Sequence, residues 1–559
     1  MAKQSINIGS SANDGTGSTL REAFDICNDN FTEIYGGTNA AFQFKAEGTN
    51  FTGSLLIGHA TTGTISSAEN NTGVGIGALN ALTSGDNNVA VGKSAGSSIT
   101  TGSYNVLLGR SAGISLSTGG ENIAIGFAAL SLEDGNGRNI AIGTNALEDL
   151  NAGSDAYNIA IGHDAGRNIS TGQYNTFIGG LAGDAITTGG YNTALGYLAL
   201  SAANSNEQYN VAIGSGSLMN LDGSGDMWNT AVGTNSGLNI ITGAYNVLLG
   251  GRAGDALTAG SRNIAIGFDA LGSEDDHLGN IAIGYSALKT QNAGTNAYNI
   301  AVGYDAGKNV TTGETMVLMG AFAGDALTTG SSNVAIGYSA LSAEDTGQRS
   351  VAIGEGALQV QNNDANNYNV AVGHHAGHTI STGVQNTLIG GLAGDALTTG
   401  GNNVALGYNS LSETTVGTDN IAIGKDALEL NVNGSASIAI GSLALEDQAP
   451  TGASNMYNIA IGHHAGKNVT TGNNNTIIGG SAGDALTTGS FNIAIGPYAL
   501  TVEDEGSKNI AIGYAALENL NNDGDTYNVA IGHNAGKQII TGANNTIVGG
   551  NAADALTTG

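Results

Sequence analysis

The chain has 559 residues, of which 91 are glycine, 2 are proline and 29 are aromatic. Glycine at about 16% is far above the usual share of roughly 7%, yet no strict Gly-X-Y period exists, so a collagen triple helix is excluded. A formal net charge of −30, with only 16 basic residues, argues against phosphate-backbone binding and against anionic membrane surfaces.

The N-terminal MAKQSINIGS has no apolar core of a secretory signal, and no apolar run reaches the length of a membrane helix. A lone cysteine, Cys27, cannot close an internal disulfide. Residues 1–40 read as an attachment segment carrying one helix over about 20–35. Thr19 with Glu22 forms a capping box, and Gly36-Gly37 ends the helix. Leu20, Phe24, Cys27, Phe31 and Ile34 recur at spacings of four and three, an apolar stripe about two heptads long. Two heptads are too short to stand alone, so the stripe is expected to dock on sister chains or on another protein. Residues 41–53 read as a connector.

From residue 54 to 559 the chain repeats a five-residue unit, Asn-(Ile/Val/Thr)-Ala-(Ile/Val)-Gly, as in Asn122–Gly126, Asn263–Gly267 and Asn509–Gly513. There are 29 units, mostly 17 residues apart; the fifth position is glycine in all 29 and the first is asparagine in 25. Ser54, Met316, Ser350 and Ser437 are the four exceptions. Four units make a higher period, usually 70 residues, and the block beginning at 369 has gained an extra unit at Ser437. Whole-unit insertion is tolerated when each unit is one layer of a stack.

Seventeen residues cannot hold two helices, and Ile-Ala-Ile alternates as a strand does. The fold expected is therefore all-β: a parallel β-solenoid, or β-roll, of about 29 coils. Positions 2, 4, 8 and 12 of each coil are expected to point inward, with asparagine bridging backbone groups between coils. Position 3 is mostly alanine but becomes Phe177, Leu248, Leu388 or Ile477 in every second-type coil, which suggests a periodic apolar knob at an interchain contact. Closed threefold symmetry would cover the long exposed sides, so a homotrimer is expected.

The Asn-x-Ala-Ile-Gly units resemble the head repeats of trimeric autotransporter adhesins, which form trimeric parallel β-rolls. The period of 17 departs from the shorter coil, near 14, of that family. The N-terminal run from Ile6 through Phe24, then Asn28 to Tyr35, is similar to the leader of tailed-bacteriophage fibre and baseplate-associated proteins. That resemblance implies a virion location, a tail or baseplate protein as partner of the leader, and a host receptor or glycan as the target of the fibre, with assembly in the host cytoplasm. The chain stops inside a coil at Leu556–Gly559, so it reads as a fragment with a receptor-binding tip beyond it. A bacterial surface adhesin and a β-helical polysaccharide depolymerase are the competing readings. The first wants a secretion signal and a membrane anchor, the second a catalytic acid pair.

Chemistry-bearing residues give little to set against a structural role. His163, His374, His375, His463, His464 and His533 fall at positions 6 and 7, where adjacent strand residues would face opposite ways. They read as exposed corners, with no metal site. Asp184, Asp255, Asp325, Asp395 and Asp484 recur only every fourth coil or so and read as turn-forming residues rather than calcium ligands. Thr-Thr pairs interrupt too often for an ice-binding face. Tyr157, Trp228, Tyr298, Tyr368, Tyr457 and Tyr527 precede the first unit of successive blocks and read as covers over the longer loops. Glu133-Asp134 and Glu503-Asp504 read as solvated corner charge, not as a glycosidase pair. No cofactor, nucleic-acid partner, membrane insertion or enzymatic activity is expected.

Overall fold

The computed structural model describes residues 44–45, 52–57, 65–202 and 206–559. The helix expected at 20–35 and its stripe, Leu20 to Ile34, lie outside the described residues. The chain forms two compact units, residues 1–263 and 264–559. Among the described residues there is no helix, and therefore none long and apolar enough to cross a membrane.

Each unit is a parallel β-solenoid. The first contains twelve three-residue strands, from Leu55–Ile57 to Val247–Leu249, one per repeat. Neighbouring coils pair like on like: Ile123 faces Ile140, Ala124 faces Ala141 and Ile125 faces Ile142. A short strand in the connector, Phe44–Lys45, pairs antiparallel with the first coil. The second unit contains seventeen such strands, from Ile264–Ile266 to Thr546–Val548. Its inserted coil adds a small parallel pair, Gly434–Ser435 with Ser454–Asn455.

Positions 8 and 12 point inward as expected, Ala129 and Ile169 being fully buried, but the strand turns its other face to the core. Asn122 is fully buried, and the strand after it runs half-exposed, buried, half-exposed at Ile123, Ala124 and Ile125. Because side chains alternate along a strand, burying position 1 places position 3 inside and positions 2 and 4 outside. Phe177, Leu248, Leu388 and Ile477 are accordingly buried inside their own coils and form no interchain face. The large residues at 2 and 4 suggested the opposite register, but the asparagine decides it.

Inverting the register explains the four-coil period. In second-type coils the large position 3 needs room, and glycine at position 9 of that coil and of the one before provides it. A Cβ at Gly166 would lie 2.9 Å from the Phe177 ring, and one at Gly183 would lie 2.7 Å from it. In third- and fourth-type coils position 3 shrinks to alanine and position 9 becomes leucine, as at Ala124 with Leu130 and Ala141 with Leu147, all fully buried. First-type coils carry alanine at position 3 and glycine at position 9, as at Ala160 and Gly166, and the large side chains of the coils on either side, Leu147 and Phe177, reach into the space this leaves.

The invariant glycine at position 5 follows from close backbone approach. Gly126 has φ 141°, and a Cβ there would lie 2.2 Å from the Gly143 carbonyl oxygen of the next coil. Left-handed backbone is otherwise held by ordinary residues, such as Leu130 at φ 54° and Tyr174 at φ 59°. Each such residue costs about 1 kcal/mol in isolation. Inter-coil bonds such as Leu130 N–H to the Ala146 carbonyl, 2.9 Å, hold the conformation in place.

Truncating Phe177 to alanine is expected to destabilise the first unit by about 3–5 kcal/mol in denaturant unfolding. Adding Gly183→Leu, which recreates the alanine-with-leucine pairing of the third-type coils, should recover part of the loss. A double variant no more stable than the single one would contradict the exchange of volume between positions 3 and 9.

Candidate functional site

The carboxylates at position 12 of third-type coils are the first group to depart from expectation. Glu133, Glu274, Glu344 and Glu503 are fully buried, where neighbouring coil types carry Leu, Ile or Gln. Glu344 accepts hydrogen bonds from Gly347 N (2.8 Å), Gln361 Nε2 (2.9 Å) and Asn367 Nδ2 (3.0 Å). Glu274 accepts from Gln291 Nε2 at 3.0 Å and lies 2.7 Å from His277 Nδ1. Burial pushes the Glu133, Glu344 and Glu503 carboxyls above the usual carboxylate range, against the lowering effect of their hydrogen bonds. Glu133-Asp134 and Glu503-Asp504 are therefore not solvated pairs. The glutamate of each enters the core while the aspartate stays at the surface, so the two do not flank a common point outside the coil.

Aromatic residues form ladders along the surface. In the first unit Tyr157, Tyr174, Tyr191, Tyr209 and Trp228 occupy the position before the asparagine in five successive coils. Their rings stack at 5.6, 4.9, 5.1 and 4.2 Å between centroids. Arg138, one coil earlier, places its guanidinium 5.5 Å from the Tyr157 ring and pairs with Asp155 and Glu121. The same arrangement recurs with Arg349 over Tyr368 and Lys508 over Tyr527. In the second unit Phe268, Tyr285, Tyr304, Phe322 and Tyr338 form another ladder, with centroids 5.2–5.9 Å apart. In the second ladder the Tyr304–Phe322 and Phe322–Tyr338 pairs meet edge to face, at 70° and 89° between planes. Stacking in the first spends the ring faces on one another, so solvent there meets ring edges and hydroxyls. That suits hydrogen bonding better than face-on packing of a sugar. Tyr157 and Trp228 were legible as block markers. Tyr174, Tyr191 and Tyr209 carry the same signal, an aromatic directly before the repeat asparagine.

The histidine doublets also differ from the expected geometry. They sit on the turn after the strand, and His375 and His464 take left-handed φ of 55° and 59°. The rings of His374 and His375 therefore stack at 4.0 Å and those of His463 and His464 at 3.9 Å, instead of facing apart. Glu355, on the preceding coil, brings a carboxylate close to the first doublet, and its donor atoms and those of His374 and His375 lie within 4.8 Å of one another. His533 stacks on Tyr514 at 5.0 Å.

Asp184 of the Gly-Asp-Ala motif is partly buried, and its Oδ1 has no hydrogen-bond partner. Burial, with repulsion from Asp164 one coil earlier, pushes its carboxyl up to about 6. Asp325, Asp395 and Asp484 are raised in the same direction, burial again being the main cause.

The chain matches no protein-family model, and no curated protein matches it in sequence.

A carboxyl that holds its proton more tightly folded than unfolded stabilises the fold below its ordinary pKa. That contribution is lost as the pH rises through the folded value. Asp184 should thus cost the first unit on the order of 1–2 kcal/mol between about pH 4 and pH 7. Unfolding free energies measured across this range should fall less steeply for Asp184→Asn than for the natural chain. Parallel profiles would show that Asp184 titrates normally.

Proposed function

We propose that this protein is a structural fibre component of a tailed bacteriophage, a homotrimeric shaft fixed to the tail or baseplate by its N-terminal segment and serving attachment to the host surface. The observation that carries this reading is the neighbour-only construction of both units. Every coil is held by the coils before and after it, so a shaft built this way can gain or lose coils without redesign. The insertion at Ser437 is such a gain, and it keeps parallel register with both neighbours, Ile421 with Ile438 and Ile438 with Ile459. The phage-leader resemblance of residues 6–35 supplies the attachment end. A host receptor or glycan is the proposed partner at the other.

The outward rows at positions 2 and 4 are the surface through which the three chains would meet. Val91, Leu195, Ile389, Leu406, Ile461 and Ile531 at position 4 are between 37 and 44% exposed. Aliphatic rows repeated at every coil are more than a solvated sheet face requires, and large exposed apolar patches mark interaction surfaces.

Light scattering on the full chain should give about three times 55.4 kDa. Leu195→Glu combined with Leu406→Glu should lower that mass toward one chain while the β-rich circular dichroism spectrum persists. Antibodies to the chain should decorate the tails of phage particles in electron micrographs. A monomeric natural chain would overturn the trimer, and its absence from the particles would overturn the assignment to the virion.

A further inference from the structure

The surroundings of one histidine doublet differ from those of every comparable corner. In three of the seven first-type coils, position 10 carries a basic residue paired with a glutamate at position 10 of the coil before. Arg167 pairs with Glu148 at 2.9 Å, Lys467 with Glu446 at 3.3 Å and Lys537 with Glu518 at 2.9 Å. In the coil beginning at Asn369 this ion pair is replaced by a neutral one, His378 Nε2 with Gln359 Oε1 at 2.8 Å. The cation that would repel a metal ion is thereby removed from this corner.

Three imidazoles and a carboxylate gather in its place. The His374 and His375 rings stack at 4.0 Å, and the His375 and His378 rings lie 4.5 Å apart. Glu355, directly below His374 in the preceding coil, completes a donor set whose Glu355, His374 and His375 atoms lie within 4.8 Å of one another. Gly356 makes the room, since a Cβ there would lie 2.6 Å from His375 Cδ2.

We propose that Glu355, His374 and His375, with His378 beside them, bind one divalent transition-metal ion of the zinc class on the surface of the second unit. Imidazole and carboxylate suit such an ion, which sits about 2.1 Å from each donor. Donors of a tetrahedral site are then about 3.4 Å apart, so the exposed side chains would rotate inward from their present spacing to close it. Glu355 and His374–His375 belong to adjacent coils, so the ion would cross-link two layers of the stack.

The second doublet is a built-in control. His463 and His464 stack equally closely, but Ser442 and Leu443 stand where Glu355 and Gly356 do, and Lys467 stands where His378 does. Zinc ion alone, titrated into the untagged full chain by calorimetry at pH 7.5, should bind at one equivalent per chain. His375→Ala should abolish the binding, and Glu355→Gln should weaken it by about tenfold. His463→Ala with His464→Ala should leave it unchanged. Circular dichroism of each variant confirms that the coil is intact. Absence of binding, two equivalents per chain, or binding that survives His375→Ala in a folded variant would overturn the proposal.

Discussion

Both units depend on a buried ladder of asparagines. Each repeat asparagine accepts, through its side-chain oxygen, the backbone N–H and usually the side-chain amide of the asparagine one coil on. Asn88 Oδ1 receives Asn105 N and Asn105 Nδ2, both at 3.0 Å, while Asn105 Nδ2 also reaches the Gly119 carbonyl at 3.0 Å. The ladder fixes the inward face of the strand, the register between coils and the closure of each coil against its own far corner. Buried amides are costly without partners, and here each partner exists only in the correct register.

Two of the four exceptions show the same constraint, whereas buried Met316 joins the ladder only through its backbone N–H to Asn299 Oδ1 at 2.9 Å. Where Ser350 replaces the asparagine, Gln361 from position 12 of the same coil fills the vacated space. It donates to Ser350 Oγ at 2.9 Å and accepts from Asn369 Nδ2 at 2.8 Å. Ser437 and Gln448 repeat the substitution, with Gln448 accepting from Asn458 Nδ2 at 2.9 Å. Buried Glu344 belongs to this network through Gln361, which accounts for a carboxylate kept inside the core. Pairing of a short position 1 with a glutamine at position 12 is visible in the sequence only after the coil geometry is known.

The solenoid, its coil length and the number of coils were legible because spacing and an invariant glycine state them directly. The face was misread because hydrophobicity at positions 2 and 4 outweighed a polar residue at position 1 that hydrogen bonding makes the most buried. Glu133 and Glu503 were misread for the same reason, a polar side chain taken as solvated when the core holds partners for it. The stacked histidines were missed because they lie on a left-handed turn, where strand alternation does not apply. Leucine and tyrosine in that conformation carry no local signal; ladder bonds between coils impose it.

Replacing one central asparagine tests the account most directly. Asn175 lies mid-ladder in the first unit, with Asn192 N at 3.0 Å and Asn192 Nδ2 at 3.2 Å from its Oδ1 and the Gly189 carbonyl 3.0 Å from its Nδ2. Equilibrium unfolding of Asn175→Ala should show a loss of about 2–5 kcal/mol, because several buried groups lose their partners together. A loss within about 0.5 kcal/mol, the range of an ordinary surface substitution, would contradict the ladder as the interaction that organises the coil.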